Sequence, residues 1–219
     1  MMAKKKSITS TAIISFYMDY VLNHNKQPTS VYSFAKMNNF EEALFYKHFG
    51  NFEALEQSIF NAFFDNTYNI LEKSGDYKSY DSRNKLLSFY FTFFEVLSAN
   101  RSYVTYAINH RKNDLMKLQS FSKLKQSFTN YIQSLNIELL EVKQETLEKV
   151  QDKTLKESAW LQLLITMKFW LEDTSHSFEK TDIFIEKSVN TSFDLIDTKP
   201  LKSIIDLGKF LFKEKMHMN

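Results

Sequence analysis

The chain has 219 residues, with 28 lysines and arginines against 26 aspartates and glutamates, five histidines and no cysteine. Without cysteine there is no disulfide, thiolate nucleophile, iron-sulfur cluster or cysteine zinc site, which suits a reducing compartment and points to the cytoplasm. Three glycines and two prolines leave little for tight hairpins or phosphate-cradling loops, so long helices are expected, with 21 phenylalanines and 11 tyrosines as core or as the lining of an apolar cavity.

Charge is uneven along the chain: residues 1–50 hold six lysines against three acidic groups, which hints at an anionic partner, although a solvated run such as Lys4, Lys5 and Lys6 accounts for much of it. The apolar stretch that follows is closed by Asp19 with no small-residue cleavage site after it, and reads as a helix rather than a signal segment. Ile13, Phe16, Tyr17, Tyr20 and Val21 share one face and predict that helix over 8–22. Thr29 or Ser30 caps a second, short helix with Val31, Phe34 and Ala35 inward, stopped at Asn38 and Asn39. A third, from about Phe40 to Lys47, turns Leu44 and Phe45 inward and Glu42, Ala43, Tyr46 and Lys47 outward. Gly50 ends it, and Asn51 caps a long fourth helix with Phe52, Leu55, Ile59, Phe63 and Ile70 as its buried stripe. Further helices are expected at 83–98, 100–110, 113–135, 138–173, 179–197 and 200–215. No window reaches the roughly 18 apolar residues of a membrane span, since the most apolar one meets Glu95.

Two short helices joined by a tight turn are what a helix-turn-helix needs. The stretch TSVYSFAKMNNFEEALFYKHFGNFEAL, residues 29–55, resembles the N-terminal domain of TetR-type transcriptional regulators, with Thr29, Ala35, Tyr46, Phe49, Asn51 and Leu55 at matching positions. Three departures stand out: Asn39 replaces the turn glycine, Glu41 with Glu42 opens the recognition helix, and Phe52 replaces a lysine common in the family. The resemblance implies an all-α protein with a helix-turn-helix domain at 1–50 and a C-terminal helical ligand-binding and dimerisation domain at 51–219. It further implies a homodimer on double-stranded DNA with a palindromic operator, an apolar small molecule as effector, and no cofactor. Thr29, Ser30, Tyr32, Glu42, Ala43, Tyr46, Lys47 and His48 are then the candidate DNA contacts. Glu41 and Glu42 would repel phosphate but suit the amino group of cytosine, leaving phosphate attraction to Lys4, Lys5, Lys6, Lys26, Lys36, Lys47 and His48.

His24, His48, His110, His176 and His217 form no metal-type pairing, there is no glycine-rich loop or nucleophile elbow, and no residue recommends an enzyme. Phe89, Phe93, Tyr103, Tyr106, Trp160 and Trp170 are core residues or, with His110, the lining of the apolar pocket that the resemblance implies; Glu95 and Arg101 are further polar groups there. Ile183, Ile185, Val189, Phe193 and Ile196 form a broad stripe, either buried within one subunit or part of the intersubunit bundle the resemblance implies. The tail from Pro200 is amphipathic, Leu201, Ile204, Ile205 and Leu211 or Phe212 opposing Lys202, Lys209, Lys213 and Lys215. With Glu41, Glu42 and Phe52, that tail favours an alternative: a TetR-fold lipid- or isoprenoid-binding protein that has abandoned DNA and lies on a membrane surface.

Overall fold

The computed structural model describes residues 8–109, 119–137 and 145–197, and all regular structure among them is helical. The helices are α1 (Ser10–His24), α2 (Val31–Met37), α3 (Glu42–His48), α4 (Phe52–Lys73), α5 (Ser82–Ala99), α6 (Arg101–Asn109), α7 (Ser122–Ser134), α8 (Glu145–Glu172) and α9 (Glu179–Asp197). An all-α class is what a glycine-poor, ring-rich chain predicts. Among the described residues no helix is long and apolar enough to cross a membrane. The expected helix at 200–215 and the run Lys4 to Lys6 lie outside the described residues. The described residues form two compact units, one from residues up to Lys73 with Thr92–Phe128, the other from Ser74–Phe91 with those from Thr129 on.

In the first unit, α1 to α4 close around rings. Phe34 of α2 meets Tyr17, Phe45 and Phe52 edge-on at 6.2, 6.3 and 5.7 Å between centroids, and Phe45 meets Phe52 at 5.3 Å. Such edge-to-face pairs add to burial, since Tyr17, Phe34 and Phe45 are wholly buried. A polar link lies inside this apolar cluster: the Tyr17 hydroxyl donates to Glu56 Oε1 at 2.6 Å, tying α1 to α4. Burial, then the Glu56 charge and that hydrogen bond, hold the hydroxyl far above the usual phenol range. Further along α4, Phe60 packs edge-on against Phe121 at 4.6 Å, and Tyr103 of α6 lies beside Phe60 and Phe63.

The α4 stripe differs from expectation. Leu55, Glu56, Ile59, Phe60, Phe63, Phe64, Thr67 and Leu71 are buried, whereas Ile70 is 47% exposed. Contacts follow i+4 steps, each overshooting a turn by about 40°, so the buried line winds round the helix and leaves Ile70 on its trailing side. Helix α7 also starts later than expected: a 3-10 turn at Gln119–Phe121 leads into it, and residues 110–118 lie outside the described residues.

In the second unit, α5 and α7 are joined by Phe89 stacked on Tyr131 at 4.7 Å and by a hydroxyl relay. Tyr77 and Tyr131 hydroxyls lie 2.8 Å apart, and Tyr131 donates to the Lys85 carbonyl at 3.0 Å. Helices α8 and α9 pack through Phe169 stacked on Phe184 at 4.6 Å and through Gln162, which donates to Ser188 and accepts from Ser192. Asp173 builds the corner between them. One carboxylate oxygen accepts from the Ser175 amide and hydroxyl at 2.8 and 2.7 Å; the other accepts from the Thr181 amide and hydroxyl at 2.9 and 2.7 Å. Burial alone would raise the Asp173 pKa, but these four donors hold it well below the usual carboxylate range. The corner also keeps Ser177 and Phe178 left-handed, at φ 50° and 61°, a conformation that costs non-glycine residues about 1–3 kcal/mol.

Candidate nucleic-acid interface

Helices α2 and α3 have seven residues each and owe their form to their ends. Ser30 caps α2 by accepting from the Ser33 amide at 3.1 Å; its hydroxyl also reaches Ser33 Oγ, while Thr29 stands one residue outside the cap. At the other end the Phe40 amide donates to Ala35 and the Asn39 amide to Lys36, the paired bonds of a Schellman turn, with Asn39 left-handed at φ 55°. Asparagine tolerates that φ, so the turn forms without the glycine of the resemblance. Phe40 seals the turn edge-on against Phe34 at 5.8 Å. Glu41 stands at the N-cap of α3 without a side-chain capping bond, and Asn51 caps α4 by accepting from the Ala54 amide at 2.7 Å.

Phe45 is the buried anchor of α3, and Phe49 behind it is buried too. At about 100° per residue, the direction opposite Phe45 falls between Ala43 and Lys47, with Tyr46 and Glu42 together on one flank. Exposure agrees: Ala43, Tyr46, Lys47 and His48 are exposed, Tyr46 by 53%, and Glu42 is half-buried. Across the turn, Tyr32 is 59% exposed with the Lys36 ammonium 5.9 Å from its ring centre, and Thr29 and Ser30 are exposed beside it. The structure therefore gathers all eight candidate residues in this one unit. It adds Met37, 57% exposed, which sequence reasoning did not single out although Val31, Phe34 and Ala35 leave it on the outer side of α2. Phe52 is half-buried and stacked on Tyr17 at 5.5 Å, so its place in the sequence has a packing cause.

The candidate ligand residues fall in both units: Phe93, Tyr103 and Tyr106 in the first, Phe89, Trp160 and Trp170 in the second. All are buried except the half-buried Tyr106, and His110 lies outside the described residues. No group of three or more histidines, aspartates or glutamates suited to a metal ion occurs among the described residues.

Along α9, Ile185 and Val189 are wholly buried within the chain, Phe193 and Ile196 are half-buried, and Ile183 is 51% exposed. The guanidinium of Arg83 covers Phe193 at 5.4 Å while pairing with Asp194 at 2.8 Å. Ile183 and Ile185, two residues apart, are about 200° apart round the helix, so they cannot serve one face. On α8 a different apolar line faces out, Val150, Leu161 and Ile165, opposite the buried Leu163, Leu164, Met167 and Trp170. Residues 85–211, which include these helices, match the family model of the Tetracyclin repressor-like, C-terminal domain, over more than half of the chain. The chain belongs to the tetracyclin repressor-like family. No curated protein matches it. Membership of the tetracyclin repressor-like family rests on the C-terminal helices, and α1 to α4 contribute nothing to the match.

Proposed function

We propose that the chain is a transcriptional regulator that binds duplex DNA as a homodimer in the cytoplasm. Helices α2 and α3 form a helix-turn-helix, with α3 entering the major groove and Thr29, Ser30, Tyr32 and His48 reaching the backbone beside it. The observation that carries this reading is the outward ridge of Ala43, Tyr46 and Lys47 on a seven-residue helix braced from behind by Phe45. Such a helix, about 10–12 Å across with its side chains, suits a groove about 12 Å wide. Exposed Lys26 and Lys36 supply attraction to phosphate, against Glu41 and Glu42. A second copy docks on the outward line of α8, where Leu161 and Ile165 lie one turn apart. Family membership supports an apolar small molecule as effector, acting on the C-terminal helices. Neither a cofactor nor catalysis forms part of the reading.

Selection of bound duplexes from a random-sequence pool tests it. A palindromic sequence should be enriched, and its affinity should fall steeply with salt, log K losing about 0.9 per decade for each phosphate contact. A pool that enriches nothing, or binding indifferent to salt, refutes the proposal.

A further inference from the structure

We infer that α3 carries a two-position code: Ala43 takes the methyl group of a thymine, and Lys47 the O6/N7 edge of a guanine about two base pairs away. This rests on the proposed DNA binding and goes beyond it by naming bases. Ala43 and Lys47 flank the direction opposite the buried Phe45, so they are the side chains that approach a groove floor most closely. They are one helical turn apart, about 6 Å, which spans about two base pairs at about 3.4 Å each.

Chemistry then selects the bases. Ala43 ends in a methyl group and is exposed; the apolar group that a major groove offers is the thymine methyl. Lys47 is exposed and has no hydrogen bond, ion pair or ring contact among the described residues. Its ammonium donates only, and guanine presents two adjacent acceptors. Glu42, half-buried at the other end of α3, also has no such partner among the described residues. When ionised it accepts only, so it suits a base that offers an amino group and disfavours a guanine edge. The two ends of α3 thus have opposite preferences, and these set the direction in which thymine and guanine follow one another along the groove.

The test begins with duplexes selected by the unmodified full-length protein, whose half-site should hold a thymine and a guanine about two base pairs apart. Uracil in place of that thymine, which removes only the methyl group, should weaken binding about fourfold. A repeat selection with Lys47→Gln should change the guanine column to adenine and leave the others alone, with about five- to 150-fold discrimination between the two bases. Both side chains are exposed, so thermal unfolding checks that the variant remains folded. An unchanged consensus for Lys47→Gln, equal weakening on every sequence as for a phosphate contact, or indifference to uracil overturns the code while DNA binding stands. A first selection that enriches no duplex overturns both.

Discussion

Asp173→Ala removes the acceptor at the α8–α9 corner. Four donors converge on that carboxylate, and two of them, the Thr181 amide and hydroxyl, belong to a residue only 1% exposed. The Ser175 donors are part-buried and regain water, whereas each stranded Thr181 donor costs about 1–3 kcal/mol, so the substitution should destabilise by roughly 3 kcal/mol. For a chain of this size that is a fall of roughly 6–12 °C in the midpoint of thermal unfolding. Acid behaviour gives a second reading of the same group. Its folded pKa lies below the unfolded value of about 3.9, so its contribution is complete well above that pH and fades as pH falls towards the folded pKa. The gap between wild type and Asp173→Ala should therefore narrow by about 1 kcal/mol between pH 7 and pH 3. Urea unfolding followed by far-ultraviolet circular dichroism measures both. A cost below about 1 kcal/mol, or a gap that stays constant or widens in acid, refutes the reasoning.

Tyr17→Phe deletes the hydrogen bond to buried Glu56 without opening a cavity and should cost about 1.5–3 kcal/mol in urea unfolding; a neutral result would mean that the link between α1 and α4 carries no stability. Asn39→Val places a β-branched residue at φ 55° and should cost about 1–3 kcal/mol, while Asn39→Gly stays near wild type, and equal losses would contradict a left-handed turn. Leu161→Glu with Ile165→Glu should yield a monomer in sedimentation that keeps the wild-type far-ultraviolet circular dichroism spectrum, because both side chains are exposed on the single chain; a dimer that persists places the second copy elsewhere.

The caps were legible because they are local. Ser30, Asn39 and Asn51 each act within five residues of themselves, and short polar side chains at those positions announce their roles. Phe45 was legible for a related reason, since Glu42, Tyr46, Lys47 and His48 leave a seven-residue helix few faces to bury. The α4 stripe was not legible in full. Glu56 and Thr67 interrupt the apolar pattern, and what permits them to be buried is a tyrosine 39 residues earlier and a carbonyl of the same helix. Asp173 was missed because its second partner lies eight residues on. The signal that could have found it is the aspartate two residues before Ser175, whose amide it accepts in an Asx turn. For α9 the apolar residues were seen but not sorted: Ile185, Val189, Phe193 and Ile196 lie within about 80° of one another round the helix, whereas Ile183 stands about 160° from Ile185 by the shorter way round.

Three of the left-handed positions, at Asn25, Asn39 and Asn136, are asparagines that follow a helix. Glycine would adopt them without strain, but it would also let the denatured chain roam further at each point. An asparagine surrenders part of that freedom before any contact forms. The corners that position α2 and α3 are accordingly rehearsed in the unstructured polypeptide, and the search for the native arrangement starts from a smaller set of conformations than a glycine-rich relative would have to explore.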